Sequence, residues 1–327
     1  LGQTPAVIPL RTDVALAYGM GDNRHAETFL TILKQISTVL HGEGRPPDIR
    51  EAPPRDIHRQ RELEHERLRL RHHVSQATRD ALWVAHLAQL PQLAGLHEYW
   101  LLHEELYRQI LPLEPGMSIL DIGCGHGDLA RTILTNRAYQ LAHLSGPPTA
   151  PLRYVGLDRS RELLDQADQN VQSYFRELTA AFGPRLPATT LIDTQWVQSE
   201  WEAQFPFEQE SFARVLFQLS LCFSASPLHC VRQALPLLSP KGILVVTCFR
   251  PHTDLSPLLR RHLRELGEIE FGPPYQVTLH YLGRLREAIR HGLIHSYEPL
   301  ELAQLLTHAG APPLRILSVL DGQLLLA

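Results

Sequence analysis

The residues best placed to do chemistry are two aspartates and a close set of glycines. Residues 118–127 read Ser-Ile-Leu-Asp-Ile-Gly-Cys-Gly-His-Gly. A short apolar run carrying Asp121 stops at Gly123, Cys124, Gly125 and Gly127, and Asp128 then opens a helical pattern. Glycines suit such a strand-to-helix turn because the backbone must take positive φ and let a ligand approach without meeting a Cβ. A second short apolar run, Arg153 to Leu157, ends at Asp158. A carboxylate there can accept hydrogen bonds from sugar hydroxyls at the ligand-binding edge of an open α/β sheet. The plain structural alternative for Asp158 is a cap for the helix that follows.

The elements that must position these residues alternate from Ser118 onward. Strands are expected at 118–122, 153–157, 190–197, 212–217 and 243–249, and helices at 128–134, 162–178 and 228–238. Tyr139 to Pro151 reads as an inserted loop, and Ser239-Pro240-Lys241-Gly242 as a turn. The end holds a helix at 299–308, a Gly310 stop and two short strands, 315–319 and 323–326. This alternation predicts a parallel sheet covered by helices on both faces. Ahead of it lie helical patterns at about 23–40, 57–73, 77–90 and 96–110, with a Pro- and Gly-rich linker at 41–56. The division expected is an N-terminal helical extension, 1–94, and a main domain, 95–327. Residues 250–295, too long for a simple connection, are expected to form a cap insertion.

The glycine block closely resembles the first motif of class I S-adenosylmethionine-dependent methyltransferases. The dinucleotide fingerprint places its third glycine three positions after the second, whereas here Gly123, Gly125 and Gly127 alternate. Two further stretches support the resemblance. One is Trp196-Val197-Gln198-Ser199-Glu200-Trp201 with Phe205-Pro206-Phe207 and Ser211-Phe212; the other is Leu237-Leu238-Ser239-Pro240-Lys241-Gly242-Ile243. The resemblance implies a Rossmann-like, doubly wound, mostly parallel sheet with a C-terminal antiparallel strand. It implies that Asp121 lies near the methionine amino end of the cofactor and that Asp158 takes the ribose. It implies that Glu200 accepts from the adenine amino group, where the family has Asp, and that Trp201 covers the ring, although a packed aromatic is an equal reading. Gln218 and Ser220, just past the fourth strand, would border the methyl group. The family often has an Asp early in that strand; here Arg214 stands in Phe212-Ala213-Arg214-Val215.

The composition is that of a globular protein, 44% hydrophobic and 20% charged, with a formal net charge of -4. That charge gives no global pull toward nucleic acid or an anionic membrane. No apolar run is long enough to span a bilayer. Cys124, Cys222, Cys230 and Cys248 form no CxxC pair, which fits reduced, buried thiols in the cytoplasm. No metal constellation is expected; His72 and His73 are adjacent and diverge on a helix. A base for the acceptor is sought in the cap, with His252 and Asp254 as the catalytic candidates because Arg250–Asp254 follows the fifth strand directly. The expected activity is methyl transfer from S-adenosylmethionine to a small-molecule acceptor. The alternatives are another enzyme on this fold, an aminopropyl transferase or a nicotinamide oxidoreductase, and a non-catalytic module that docks a partner.

Overall fold

The computed structural model describes residues 76–89, 97–143, 150–182, 191–201, 203–265 and 273–327. The helices and linker expected within residues 1–75 lie outside the described residues. Two helices come first, α1 (Gln76–Leu87) and α2 (His97–Ile110). They are followed by β1 (Ser118–Ile122), α3 (Asp128–His143), β2 (Leu152–Asp158), α4 (Arg161–Phe182), β3 (Ile192–Gln198) and β4 (Phe212–Gln218). A short 3-10 turn, Ser220–Phe223, leads to α5 (Pro227–Ala234) and β5 (Leu238–Phe249). The chain ends through α6 (Ser256–Glu265), α7 (Pro273–Arg290), α8 (Pro299–Ala309), β6 (Leu317–Val319) and β7 (Leu324–Leu326).

The seven strands form one sheet in the order β3-β2-β1-β4-β5-β7-β6. β1 to β5 are parallel, and β7 runs antiparallel to both β5 and β6. β1, β2 and β4 are mainly apolar because both faces are covered, and Ile119, Leu120, Ile122, Tyr154, Val155, Leu157, Val215 and Leu216 are fully buried. The strand order reverses between β1 and β4, and such a switch point opens a crevice beyond the carboxyl ends of the strands. The expected α/β architecture with a C-terminal antiparallel strand is the one observed.

Two local expectations change. The segment 239–242 does not end a strand: β5 runs through it, with Lys241 at φ 66° and a register shift opposite Phe212–Arg214. Tyr139 is not in a loop, because α3 continues to His143. Its pattern Thr-Asn-Arg-Ala-Tyr-Gln-Leu carries no breaker, and buried Ala138 keeps the helix on the core.

Arg214 explains the absence of an acid early in β4. It is buried, and its Nε donates to Ile110 O at 2.6 Å and its guanidinium NH2 group to Pro112 O at 2.7 Å. It thereby ties the carboxyl end of α2 to the sheet and sets the angle at which α2 crosses the cleft. Arg214→Ala leaves buried carbonyls without donors, and each such charged bond is worth about 1.5–3 kcal/mol. The variant is expected to unfold about 2–4 kcal/mol more easily in urea. A loss under about 0.5 kcal/mol, the scale of an ordinary surface substitution, would show that the clamp is dispensable.

Candidate functional site

At the carboxyl edge the turn 123–127 is held by backbone bonds to β2. Gly123 N and Cys124 N both donate to Leu157 O, at 2.7 and 3.1 Å. Gly123, Gly125 and Gly127 have φ of 77°, 53° and 78°, in the left-handed region where only glycine is at ease. A Cβ on Gly123 would stand 2.3 Å from Ser220 Cβ, so β1 and the segment after β4 meet with no room to spare. Ser220 Oγ fastens that contact by donating to Ile122 O at 2.5 Å.

The two acids flank this turn. Asp121 is 1% exposed; its Oδ2 accepts from Tyr154 Oη at 2.6 Å, while its Oδ1 is buried with no partner. Burial pushes its carboxyl up to about 7, against the pull of the Tyr154 bond, and the nearby Asp158 charge adds to the rise. Asp158 Oδ1 accepts from Ser160 N at 3.0 Å, and its Oδ2 from Gly125 N at 3.3 Å. It therefore caps the start of α4 and braces the glycine turn at once. Burial raises this carboxyl to about 6.

Asp158 is buried because α1 lies across it. The Trp83 indole N–H sits beside the Asp158 carboxylate without aligning as a hydrogen bond. The Trp83 ring meets Trp201 edge-on at 5.6 Å and Phe223 at 4.9 Å. Trp201 is 1% exposed, packed between Trp83 and the Arg159 guanidinium, which lies 4.5 Å from its ring centre. Glu200 is exposed and pairs with Arg159 at 3.2 Å, and Arg159 also pairs with Asp80 of α1. Part of the expected N-terminal extension thus forms a wall of the site.

Beside the turn opens a cleft of about 640 Å³, part of it continuous with solvent. The glycine turn from Gly123 to His126 and Gln218 form its floor; Leu102, Leu219, Leu255, Leu320 and Leu324 form apolar sides. Trp83 and His86 enter from α1, and Tyr99 and His103 from α2. His103 Nδ1 bonds to Tyr99 O at 2.9 Å, and its Nε2 lies 2.7 Å from Gln218 Nε2. His86 Nδ1 lies 2.7 Å from Tyr281 Oη, and burial lowers this imidazole to about 4. Tyr99 Oη donates to Asp128 Oδ2 at 2.6 Å.

Asp121, Gly123, Cys124, Gly125, Gly127, Asp158 and Gln218 are thus gathered on one sheet edge. His252 and Asp254 are not. His252 is exposed, and Asp254 caps α6 through Ser256 N at 3.0 Å and pairs with Arg286 at 3.0 Å. The path from β5 turns at Arg250, whose N–H is held by Thr253 Oγ1 and Gln323 O; beyond it Leu255 lines the cleft, and His252 and Asp254 do not. The histidines that do face the cleft precede β1. In sequence His103 stands one helical turn after Tyr99 and two before Ile110, a spacing that also fits plain packing.

Residues 96–314 match the methyltransferase domain family, and the chain belongs to that family. It is an S-adenosylmethionine-dependent methyltransferase. Among curated proteins none matches the sequence. Among solved structures it is similar to a SAM-dependent methyltransferase of Aquifex aeolicus at 15% identity, covering 68% of this chain and 86% of that one with a TM-score of 0.40. It is also similar, at 14% identity and a TM-score of 0.40, to a Haemonchus contortus phosphoethanolamine N-methyltransferase 2 in complex with S-adenosyl-L-methionine; 64% of this chain and 36% of that one are covered. The [4+2]-cyclase SpnF is similar at 17% identity over 64% of this chain and 74% of its own, with a TM-score of 0.36.

The residues present fit the cofactor: Asp121 Oδ1 is a buried acceptor with nothing to accept from, one turn away from glycines that leave the edge free of side chains. A carboxyl raised by burial adds stability while it is protonated, and that contribution is lost as pH rises through about 7. Asp121→Asn keeps the shape and cannot ionise. The free variant is expected to match the wild type near pH 4 and to exceed it increasingly up to about pH 8, on the order of 1.4 kcal/mol per pH unit over the shifted range. It should also bind S-adenosylhomocysteine at least about tenfold more weakly, or 1.4 kcal/mol. Urea unfolding across pH and calorimetry measure both; a stability difference independent of pH would remove Asp121 from this role.

Proposed function

We propose that this enzyme methylates a small molecule in the cleft between the glycine turn, α1, α2 and the β7 end of the sheet. The observation that carries this is the cleft itself, a concave and mainly apolar space with a few convergent polar groups, opening directly beside the turn. A net charge of -4 supports a small acceptor over nucleic acid. We further propose residues 95–327 as the catalytic unit, with α1 as a wall borrowed from the extension and 250–295 as the cap. The four buried free cysteines support a reducing, cytoplasmic setting. No helix among the described residues is long and apolar enough to cross a membrane.

When bound, S-adenosylmethionine supplies a methyl group on a positively charged sulfur. In this reading Asp121 holds the methionine ammonium, and Gly123, Cys124, Gly125 and Gly127 keep the backbone close to the cofactor. Asp158 accepts from the ribose hydroxyls once Trp83 moves aside. Glu200 faces the adenine edge, and Trp201 underlies it as a packed platform held by Arg159. Gln218 borders the acceptor. Leu102, Leu219, Leu255, Leu320 and Leu324 exclude water, which holds the reacting atoms in line and protects the transfer.

Calorimetry with S-adenosylhomocysteine and NAD in parallel should show binding of the first alone. Asp158→Ala should weaken that binding by about 1.5–3 kcal/mol, the range for hydrogen bonds to a charged group. Labelled methyl groups should then pass from S-adenosylmethionine into the small-molecule fraction of a cell extract. Label confined to RNA or protein would overturn the reading.

A further inference from the structure

His103 is the group in the cleft whose protonation state the fold dictates. Its Nδ1 lies 2.9 Å from Tyr99 O, a backbone carbonyl that can only accept. Nδ1 therefore carries the hydrogen, and Nε2 presents a lone pair. The Gln218 side-chain amide donates to that lone pair at 2.7 Å, so Nε2 already accepts a hydrogen bond from the floor of the cleft that His103 lines. The imidazole is fully buried, and burial lowers its basicity while Asp128 opposes that change. The charged groups that face it are Asp128 and Arg131 of α3 and Glu104 of its own helix. Asp128 is already engaged by Tyr99 and by Arg131 at 3.3 Å. The histidine across the cleft, His86, is held neutral by burial.

Three consequences limit what can bind against Nε2. A carboxylate or phosphate there meets the Nε2 lone pair, and the donor beside it, the Gln218 amide, is neutral, so the anion's charge would go uncompensated. An ammonium ion would meet leucines, Trp83 and neutral imidazoles, and the Asp128 carboxylate that also lines the cleft is already engaged by Tyr99 and Arg131, so its desolvation would go largely uncompensated. A neutral O–H can replace the Gln218 amide on Nε2, with the rest of the molecule against the apolar sides. A weak, buried base transfers a proton efficiently only from an acidic hydroxyl, so a phenol or enol, ionising near 10 as tyrosine does, fits better than an aliphatic alcohol.

Resting on the methyl-transfer reading above, we propose that His103 is the general base and that the acceptor is a neutral, largely apolar phenol or enol. The acceptor oxygen gives its proton to His103 Nε2 and gains the methyl carbon. The electron pair of the broken carbon–sulfur bond remains on sulfur, and the imidazolium returns its proton to water as the methyl ether leaves. Tyr99 acts as the positioning residue through its carbonyl, and Gln218 holds Nε2 in the empty cleft and gives way to the acceptor.

The test uses the full chain with S-adenosylmethionine and three probes sharing one ring size: para-cresol, benzylamine and benzoate. Para-cresol should be methylated in preference to the others. His103→Gln should lower kcat/KM for para-cresol at least about 100-fold, the lower end of general-base contributions. S-adenosylhomocysteine affinity by calorimetry should stay within about threefold, which also shows that the variant is folded. The wild-type rate should rise with pH as His103 loses its proton and then level; in the variant that limb should vanish, and the rate should follow the phenol's own ionisation. Replacing para-cresol by the more acidic para-nitrophenol should then rescue the variant in part. Preference for benzylamine or benzoate, or no methylation of any probe by protein that binds cofactor, overturns the proposal. So does loss of S-adenosylhomocysteine binding in His103→Gln, which would place His103 on the cofactor. Failure of the wild type to bind S-adenosylhomocysteine would instead overturn the cofactor seat proposed above.

Discussion

The contact between Gly123 and Ser220 is the constraint from which the site is built. A Cβ at position 123 would stand 2.3 Å from that of Ser220, so the carboxyl ends of β1 and β4 can lie this close only with glycine there. The same glycine has φ 77° and turns its N–H onto Leu157 O, which draws in β2. Three strands thus converge on one turn. Asp121 and Asp158 end up on either side of it, and Gln218 reaches the cleft beside it. Lengthening any of these distances would separate the two acids from the groups that line the cleft.

The site stores free energy where it is meant to bind. Asp121 keeps one oxygen buried and unpartnered, and both acids are pushed up by burial, to about 7 and about 6. A buried carboxylate with spare lone pairs is costly in the free protein and is relieved by a donor-rich ligand. Asp158 in addition lies beneath Trp83, whose ring is packed on Trp201 and Phe223. Under the proposed cofactor seat, ribose binding at Asp158 and the position of α1 would be coupled for that reason. The Asp80–Arg159–Glu200 chain of charges ties the same helix to the loop after β3.

Much of this was legible in the sequence, because it depends on residues close together in the chain. The alternation of apolar runs and helical patterns after Ser118 follows from local periodicity, and the glycine turn follows from backbone sterics. Together they imply the parallel sheet, its ligand edge and the aspartate ending β2. Periodicity could not show where β5 begins, because Ser239–Gly242 carries turn residues and falls at a register shift, between Leu238 opposite Phe212 and Ile243 opposite Arg214.

What only the tertiary structure decided is which side chains meet across long separations. His103 and Gln218 are 115 positions apart, Trp83 and Trp201 are 118 apart, and His86 and Tyr281 are 195 apart. On its helix His103 has the spacing of an ordinary packed residue, and nothing local marks its Nε2 as facing a cleft. His252 and Asp254 look better placed in sequence, directly after β5, yet neither lines the cleft: His252 is exposed, and Asp254 is engaged by Ser256 N and Arg286. The sequence by itself determined the sheet, the glycine turn and its two carboxylates, since backbone geometry and burial periodicity act over a few residues. The tertiary fold decided the walls of the cleft and which histidines line it, since these depend on how α1, α2 and the C-terminal strands cross the sheet edge.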